Sequence, residues 1–210
     1  ALVGANGTGK STLIRTVLDL RAAHGGRITL GGRANTDRLA RARVAYLPER
    51  FQAPLHLRGR EFLAYMLSLY GVEDGERAAR EAAAALGLGA AVLDEAVSTY
   101  SKGTAQLLGL AACLASERPV LVLDEPMDGL DPAARVRLRN ALAVRRDAGA
   151  SILFSSHLLA DAAELADRIA ILHDGRIVAD GTAGELCERF GASSLEAAYM
   201  RCTGGESALA

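Results

Sequence analysis

Apolar and polar positions along the chain follow two alternating patterns: short continuous apolar runs, and longer segments with helical spacing. The short runs are typical of buried strands and the longer segments of helices, so their alternation predicts an α/β fold with a mostly parallel sheet. The predicted strands lie in ALV, GRITLGG, RVAYLP, VLVLDEP and ASILFSSH. Near the C-terminus, RIAILHDGRIVADG predicts a hairpin that turns at Asp174-Gly175.

The helical segments predict how the chain is organised. STLIRTVLDLRAA is expected to be a helix that stops at Gly25-Gly26, and DPAARVRLRNALAVRRDAG a helix with Asp131 as its N-cap. Between Leu55 and Tyr100 the strand pattern disappears and apolar residues recur at helical spacing. We therefore predict a discontinuous core of residues 1–54 and 101–210, with residues 55–100 as an inserted helical subdomain.

Composition excludes several functional classes. Half of the 210 residues are hydrophobic and the formal net charge is -1, which indicates a globular protein without a polybasic field for nucleic acid. The longest uncharged apolar runs fall short of the roughly 18 residues that a membrane span needs. Three cysteines without metal-ligand spacing predict reduced packing thiols in a cytosolic chain. The chain begins at Ala1, just before a glycine-rich loop that a strand should enter, so we expect an N-terminal truncation.

That loop, GANGTGKS from Gly4 to Ser11, fits the pattern G-x-x-x-x-G-K-[ST] at every fixed position. Its glycines let backbone N–H groups turn toward phosphate oxygens, and the following helix N-terminus adds its dipole. Lys10 supplies positive charge to the β- and γ-phosphates, and the Ser11 hydroxyl is a candidate ligand of Mg²⁺. The alternative, a glycine-rich turn that matches by chance, has odds on the order of one in a hundred for a chain of this length.

Two further strands end in groups that can act on a phosphate. VLVLDEP places Asp124 and Glu125 at the end of a buried strand, where Asp124 can hold Mg²⁺ and Glu125 can polarise an attacking water. SILFSSH ends at His157, whose imidazole can hydrogen-bond the γ-phosphate or that water. Taken alone, the two carboxylates could be a solvated pair at a strand end, and the histidine could be structural. The phosphate loop in the same chain favours the functional interpretation of both.

Five segments together resemble the ATP-binding-cassette (ABC) ATPases: GANGTGKST, YSKGTAQ, LVLDEP, GLDP and SSH, in the order and approximate spacing of that family. The resemblance implies a P-loop NTPase core with an inserted helical subdomain, and ATP and Mg²⁺ as cofactors. It also implies a head-to-tail dimer in which the signature motif of one subunit closes over ATP held by the other. The site residues that it implies are Gly4, Asn6, Gly7, Thr8, Gly9, Lys10, Ser11 and Thr12 for the nucleotide; Ser11 and Asp124 for the metal; Glu125 and His157 for catalysis; Ser101, Lys102, Gly103 and Gln106 for the in-trans signature; and Asp131 for the D-loop.

Two positions depart from the family pattern. Glu49 stands where the family usually has the glutamine that senses the metal and touches the membrane partner, so it is either the coupling residue or a solvated turn residue. Lys102 replaces the first glycine of the signature pair and is one of two lysines among 24 basic residues. Its ammonium group either meets the γ-phosphate or points to solvent. For Ser101 the alternative to the in-trans anion site is a helix N-cap only, and the two roles are compatible because the capping geometry presents the amides.

The segment LHLRGREFLAYMLSLYGV and the late SLEAAYMRCTG resemble ATPase subunits of ABC-2-type exporters. The resemblance implies an ATPase, placed at the cytoplasmic face of the membrane, that energises a separate integral membrane permease and pairs with a second ATP-binding subunit, most simply another copy of itself. The alternative is a nucleotide-dependent dimerisation or regulatory cassette that is not linked to transport. The aromatic residue that stacks on adenine in this family would precede Ala1.

Overall fold

The computed structural model describes residues 1–204, which divide into two compact units. The first unit combines Ala1–Gly25 with the chain from Leu153 onward, and the second is Gly26–Ile152. The strands are β1 Leu2–Val3, β2 Thr29–Leu30, β3 Arg33–Ala34, β4 Val44–Leu47, β5 Val120–Leu123, β6 Ser151–Ser156, β7 Ile169–His173 and β8 Arg176–Gly181. The helices are α1 Lys10–Val17, α2 Arg38–Arg41, α3 Gly59–Leu69, α4 Glu76–Ala85, α5 Ala90–Asp94, α6 Lys102–Ala115, α7 Pro132–Asp147, α8 Leu159–Leu165, α9 Ala183–Arg189 and α10 Leu195–Cys202.

In the first unit, β1 is paired in parallel with both β6 and β7, and β8 runs antiparallel to β7. The turn between β7 and β8 has positive φ at both central residues, 46° at Asp174 and 73° at Gly175, as a two-residue hairpin turn requires. The hydrophobic core of the first unit is formed by side chains from its strands and its last helices: Val3, Ala162, Ile169, Ile171, Ala179, Leu186 and Leu195.

In the second unit, β4 and β5 are parallel neighbours, and α6 packs on β4. Gly109 permits this close packing, because a Cβ atom there would lie 2.6 Å from Cδ1 of Leu47. Phe51 and Phe62 meet edge to face with ring centroids 5.6 Å apart, which links the segment after β4 to α3. Residues 55–100 contain α3, α4, α5 and a short 3₁₀ turn. The division of the chain at residues 54 and 101 stays a prediction.

The predicted fold class is confirmed: the chain is α/β with mostly parallel strand pairs, and the hairpin forms at Asp174-Gly175. Asp131 caps α7, with its carboxylate accepting a 2.8 Å hydrogen bond from the Ala134 N–H. The first predicted helix is wrong in its length, since α1 ends at Val17 rather than at Gly25. Asp19 takes φ 59°, and the Leu20 N–H donates to the Arg15 carbonyl. The helix is therefore closed by an aspartate at position 19, before the chain reaches the glycines at 25 and 26 that were expected to stop it.

No helix among residues 1–204 combines the length and the apolar character that crossing a membrane requires. The three cysteines are free thiols; Cys113 is buried, whereas Cys187 and Cys202 are half-buried. Burial raises the pKa of the Cys113 thiol to about 12, so this group stays protonated at neutral pH.

We expect iodoacetamide to alkylate Cys113 last in the native protein, because the reactive thiolate is scarce and shielded there. Since that pKa lies near 12, raising the pH from 7 to 9 should leave Cys113 protected. Mass spectrometry of quenched time points measures the three rates, and in denaturant they should converge. Equal native rates at Cys113 and Cys187 would contradict the buried placement.

Candidate nucleotide site

The phosphate loop joins the end of β1 to the start of α1 in the first unit. Its turn depends on two glycines with positive φ, 85° at Gly7 and 107° at Gly9, a region that side chains rarely adopt. Gly9 stands at the N-cap of α1, so the backbone N–H groups of the first helical turn face the loop. Thr8 steadies the turn by donating its hydroxyl to the Ala5 carbonyl at 2.9 Å.

Lys10 is the first residue of α1, and it is 6% exposed. Its ammonium group donates to the carbonyl of Gly4 at 2.8 Å and to that of Ala5 at 3.3 Å. These bonds fold the side chain back along the loop that precedes it. The positive charge is therefore held against the phosphate loop by the chain's own backbone.

The other predicted nucleotide residues lie along the same loop and helix start, with Asn6, Gly7 and Thr12 exposed, Thr8, Gly9 and Ser11 half-buried and Gly4 buried. Gly4 is confined by its neighbour β7, since a Cβ atom there would lie 2.4 Å from the carbonyl oxygen of Leu172. The loop can leave β1 at this point only because residue 4 lacks a side chain.

His157 follows β6 directly and is exposed. In the parallel register of the first unit, Val3 is the partner of Ser156, so His157 and Gly4 are each one residue beyond a paired position. The histidine and the phosphate loop therefore begin at the same end of two adjacent strands. They lie at one edge, as expected, and their roles there stay predictions.

The second unit carries the two carboxylates. In its parallel pair Leu47 is the partner of Leu123, and the N–H of Asp124 bonds to the Leu47 carbonyl at 2.9 Å. Asp124 is fully buried, and Glu125 is 8% exposed with φ 51°. The chain turns sharply at Glu125, which keeps this carboxylate at the end of β5. Glu49 is exposed in the turn after β4, at the same end of the pair.

The signature-like segment forms the start of α6 in the second unit. Ser101 is the N-cap: its Oγ accepts from the Thr104 N–H at 3.1 Å and lies 2.9 Å from the Thr104 hydroxyl. Both Ser101 and Lys102 are exposed, so the helix start presents its capping hydroxyl to the surroundings. Gln106 differs from them, since it is 5% exposed and its Nε2 has no hydrogen-bond partner within residues 1–204. Its in-trans role stays a prediction.

Asp128 was missed by sequence reasoning. The Oδ2 atom of Asp128 lies 2.6 Å from the ammonium nitrogen of Lys102. The Lys102 side chain therefore pairs with an acidic group of its own chain. Asp128 immediately precedes the GLDP segment, which contains the α7 cap Asp131. Nothing in the spacing of the two residues signals their contact, because they are 26 positions apart.

Comparison with known proteins places these motifs in a family. The ABC transporter family model matches residues 1–128. An uncharacterized ABC transporter ATP-binding protein of Synechocystis sp. is 39% identical over 188 residues, covering 88% of this chain and 53% of that protein. The daunorubicin/doxorubicin resistance ATP-binding protein DrrA of Streptomyces peucetius is 36% identical over 200 residues, covering 92% of this chain and 60% of that protein. The chain thus spans between half and two thirds of the length of these curated relatives.

Solved structures give the same fold. The structure of an ATP-binding subunit of an ABC transporter superposes with a TM-score of 0.89 at 32% identity, covering 96% of this chain and 86% of that one. A dimeric bacterial ABC transporter cassette superposes with a TM-score of 0.78 at 20% identity, covering 86% of this chain and 83% of that one.

Replacing Gly4 by alanine should destabilise the phosphate loop, because the new methyl group would overlap the Leu172 carbonyl, which is backbone and cannot move aside cheaply. We expect the free energy of unfolding to fall by about 1–3 kcal/mol, the usual cost of overpacking. Urea titration followed by circular dichroism measures the change. Gly25→Ala is the matched control, since no atom lies within 4 Å of its added Cβ. Equal midpoints for the two variants would show that the β7 contact does not confine the loop.

Proposed function

Because the chain belongs to the ABC transporter family, we propose that it is the ATP-binding and ATP-hydrolysing subunit of a transporter, and that it energises a separate membrane permease. The observation that carries this proposal is the buried ammonium of Lys10, held by carbonyls of a loop whose glycines have positive φ. A charge kept in this way is ready for an anionic group that approaches the helix N-terminus. ATP supplies such a group in its triphosphate.

The donor set fits Mg²⁺, which prefers hard oxygen ligands and takes few from the protein. Ser11 of the first unit would supply a hydroxyl, and Asp124 of the second unit, at the end of β5, would supply a carboxylate. Mg²⁺, when bound, neutralises phosphate charge. Glu125 accepts a proton from the attacking water, and His157 hydrogen-bonds the γ-phosphate or that water. The buried position of Glu125 at the turn that ends β5 supports its assignment as the base.

We assign the in-trans role to the start of α6. Its exposed N-cap Ser101 and the N–H groups of the helix start would form an anion site outside the phosphate loop. Ser101 and Gly103 would bind the nucleotide of a second copy of this chain, and the fold shared with a dimeric bacterial cassette supports such pairing. Closing two copies around two nucleotides would convert binding energy into movement.

The permease and the direction of transport are proposed from the helical segment and from relatives. Three large apolar side chains between residues 55 and 70 are exposed, Leu55 at 65%, Tyr65 at 51% and Leu69 at 63%, which is a surface suited to a protein partner. Glu49, exposed in the turn after β4, is the proposed coupling residue. The relative DrrA is named for drug resistance, which supports ABC-2-type export. The subunit would then lie at the cytoplasmic face of the membrane through its permease.

Glu125→Gln should abolish turnover while leaving ATP binding intact, because the amide keeps the shape of the side chain and cannot accept the proton. We expect a loss of at least about 100-fold in kcat, the usual contribution of a general base, and an ATP-trapped dimer. Phosphate release and size-exclusion chromatography with Mg²⁺-ATP measure the two effects. Glu117→Gln is the matched control, since Glu117 has nearly the same φ, 52°, at an exposed site outside the motifs. Undiminished turnover in Glu125→Gln would remove Glu125 as the base, and a wild type that dimerises without turnover would indicate a regulatory cassette.

Ser101→Arg should block hydrolysis without abolishing ATP binding, because a bulky cation would occupy the place of the partner's phosphate. Mixing this variant with Lys10→Ala should restore part of the turnover, since the mixed dimer regains one intact composite site. Phosphate release by each variant and by their mixture measures this. Ser194→Arg removes an equivalent N-cap from α10 and is the control for lost capping, which costs about 1 kcal/mol. Normal hydrolysis by Ser101→Arg, or no recovery in the mixture, would contradict the in-trans role.

A further inference from the structure

Three contacts join the start of α6 to the loop before α7 within the second unit. The Lys102 ammonium lies 2.6 Å from Asp128 Oδ2. The aliphatic stem of Lys102 crosses Gly129, where an added Cβ would lie 3.3 Å from its Cδ atom. Gly103 faces the carbonyl oxygen of Gly129, which an added Cβ would approach to 2.8 Å. An ion pair, a packed stem and a close backbone approach thus bind the two segments together.

The position of Lys102 is unfavourable for the helix itself. Lys102 is the first residue of α6, where the helix dipole disfavours a positive charge. The side chains of Lys102 and Asp128 are 72% and 42% exposed, and ion pairs as exposed as this one add little to folding stability. The Lys102–Asp128 pair is therefore better explained by the segments that it holds in position than by a contribution to folding stability.

We propose that Lys102 is a positioning residue, which acts through Asp128 to hold residues 128–131 against the start of α6, so that Ser101 and Asp131 meet a second copy of the chain as one rigid surface. This inference rests on the proposed ATPase function and deepens it by assigning a role to the lysine that replaces a signature glycine. The ammonium binds the carboxylate of its own chain rather than the γ-phosphate of the partner's nucleotide. Closure of the dimer depends on this pair because both segments must arrive together.

A double-mutant cycle on steady-state ATP turnover tests the inference. Lys102→Ala and Asp128→Ala should each lower kcat by about twofold to fivefold, the range expected for an exposed ion pair, with ATP affinity of the monomeric chain unchanged. The double variant should be no worse than either single one. Lys102→Arg should rescue turnover, as should the reversed pair Lys102→Asp with Asp128→Lys. The losses should shrink in high salt, which screens exposed pairs.

Arg168→Ala provides the matched control, since the Arg168–Asp180 pair is similar, 2.9 Å long with 64% and 62% exposure, and lies outside the motifs. It should leave turnover unchanged. A loss in Lys102→Ala without one in Asp128→Ala, or additive losses in the double variant, would overturn the pairing and indicate direct contact with the nucleotide. A wild-type chain that does not hydrolyse ATP would contradict the proposed function itself, which separates the two failures.

Discussion

A buried ammonium group needs oxygen acceptors, and Lys10 imposes this requirement on the loop that precedes it. Leaving such a charge unpaired at 6% exposure would be costly, so the loop must turn its Gly4 and Ala5 carbonyls toward the side chain. That turn is possible because Gly7 and Gly9 adopt positive φ. The glycines of the motif are thus needed first to let the loop bring hydrogen-bond acceptors to the buried Lys10 ammonium. The same geometry then leaves a fixed positive charge and a helix start facing an incoming phosphate.

A second constraint acts at the end of β5. Leu121 and Leu123 are fully buried and the ladder closes at the Asp124 N–H, so the chain must then leave the sheet abruptly. It does so at Glu125, in a left-handed conformation that costs a non-glycine residue about 1 kcal/mol or more. Among residues 1–204, five non-glycine residues have positive φ, and Glu125 is the buried one; Asp19, Asp74, Glu117 and Asp174 are exposed. Local strain retained at a buried carboxylate is consistent with the catalytic role proposed for it.

Most of the fold could be predicted because local patterns agree with the tertiary structure. The apolar runs became β4, β5 and β6, and the Asp-Gly turn formed its hairpin, since strand period and turn chemistry act within a few residues. The end of α1 could not be predicted, because Asp19 took the conformation usually left to glycine and closed the helix early. The candidate site divides in the same way. The loop around Lys10 follows from its motif, whereas the contact of Lys102 with Asp128 spans 26 positions and depends on tertiary packing.

The two lysines of the chain share one unfavourable position, since each is the first residue of a helix, α1 or α6, where a cation opposes the dipole. Each is compensated by oxygen atoms, but in different ways. The ammonium group of Lys10 is buried and donates to backbone carbonyls of the loop that precedes it, so its charge is fixed in place for a ligand. A side chain from another loop meets Lys102 at the surface, so this charge joins two segments that neighbour the proposed dimer contact. Burial and the kind of acceptor therefore separate a lysine that binds the nucleotide from one that positions the surface closing over it.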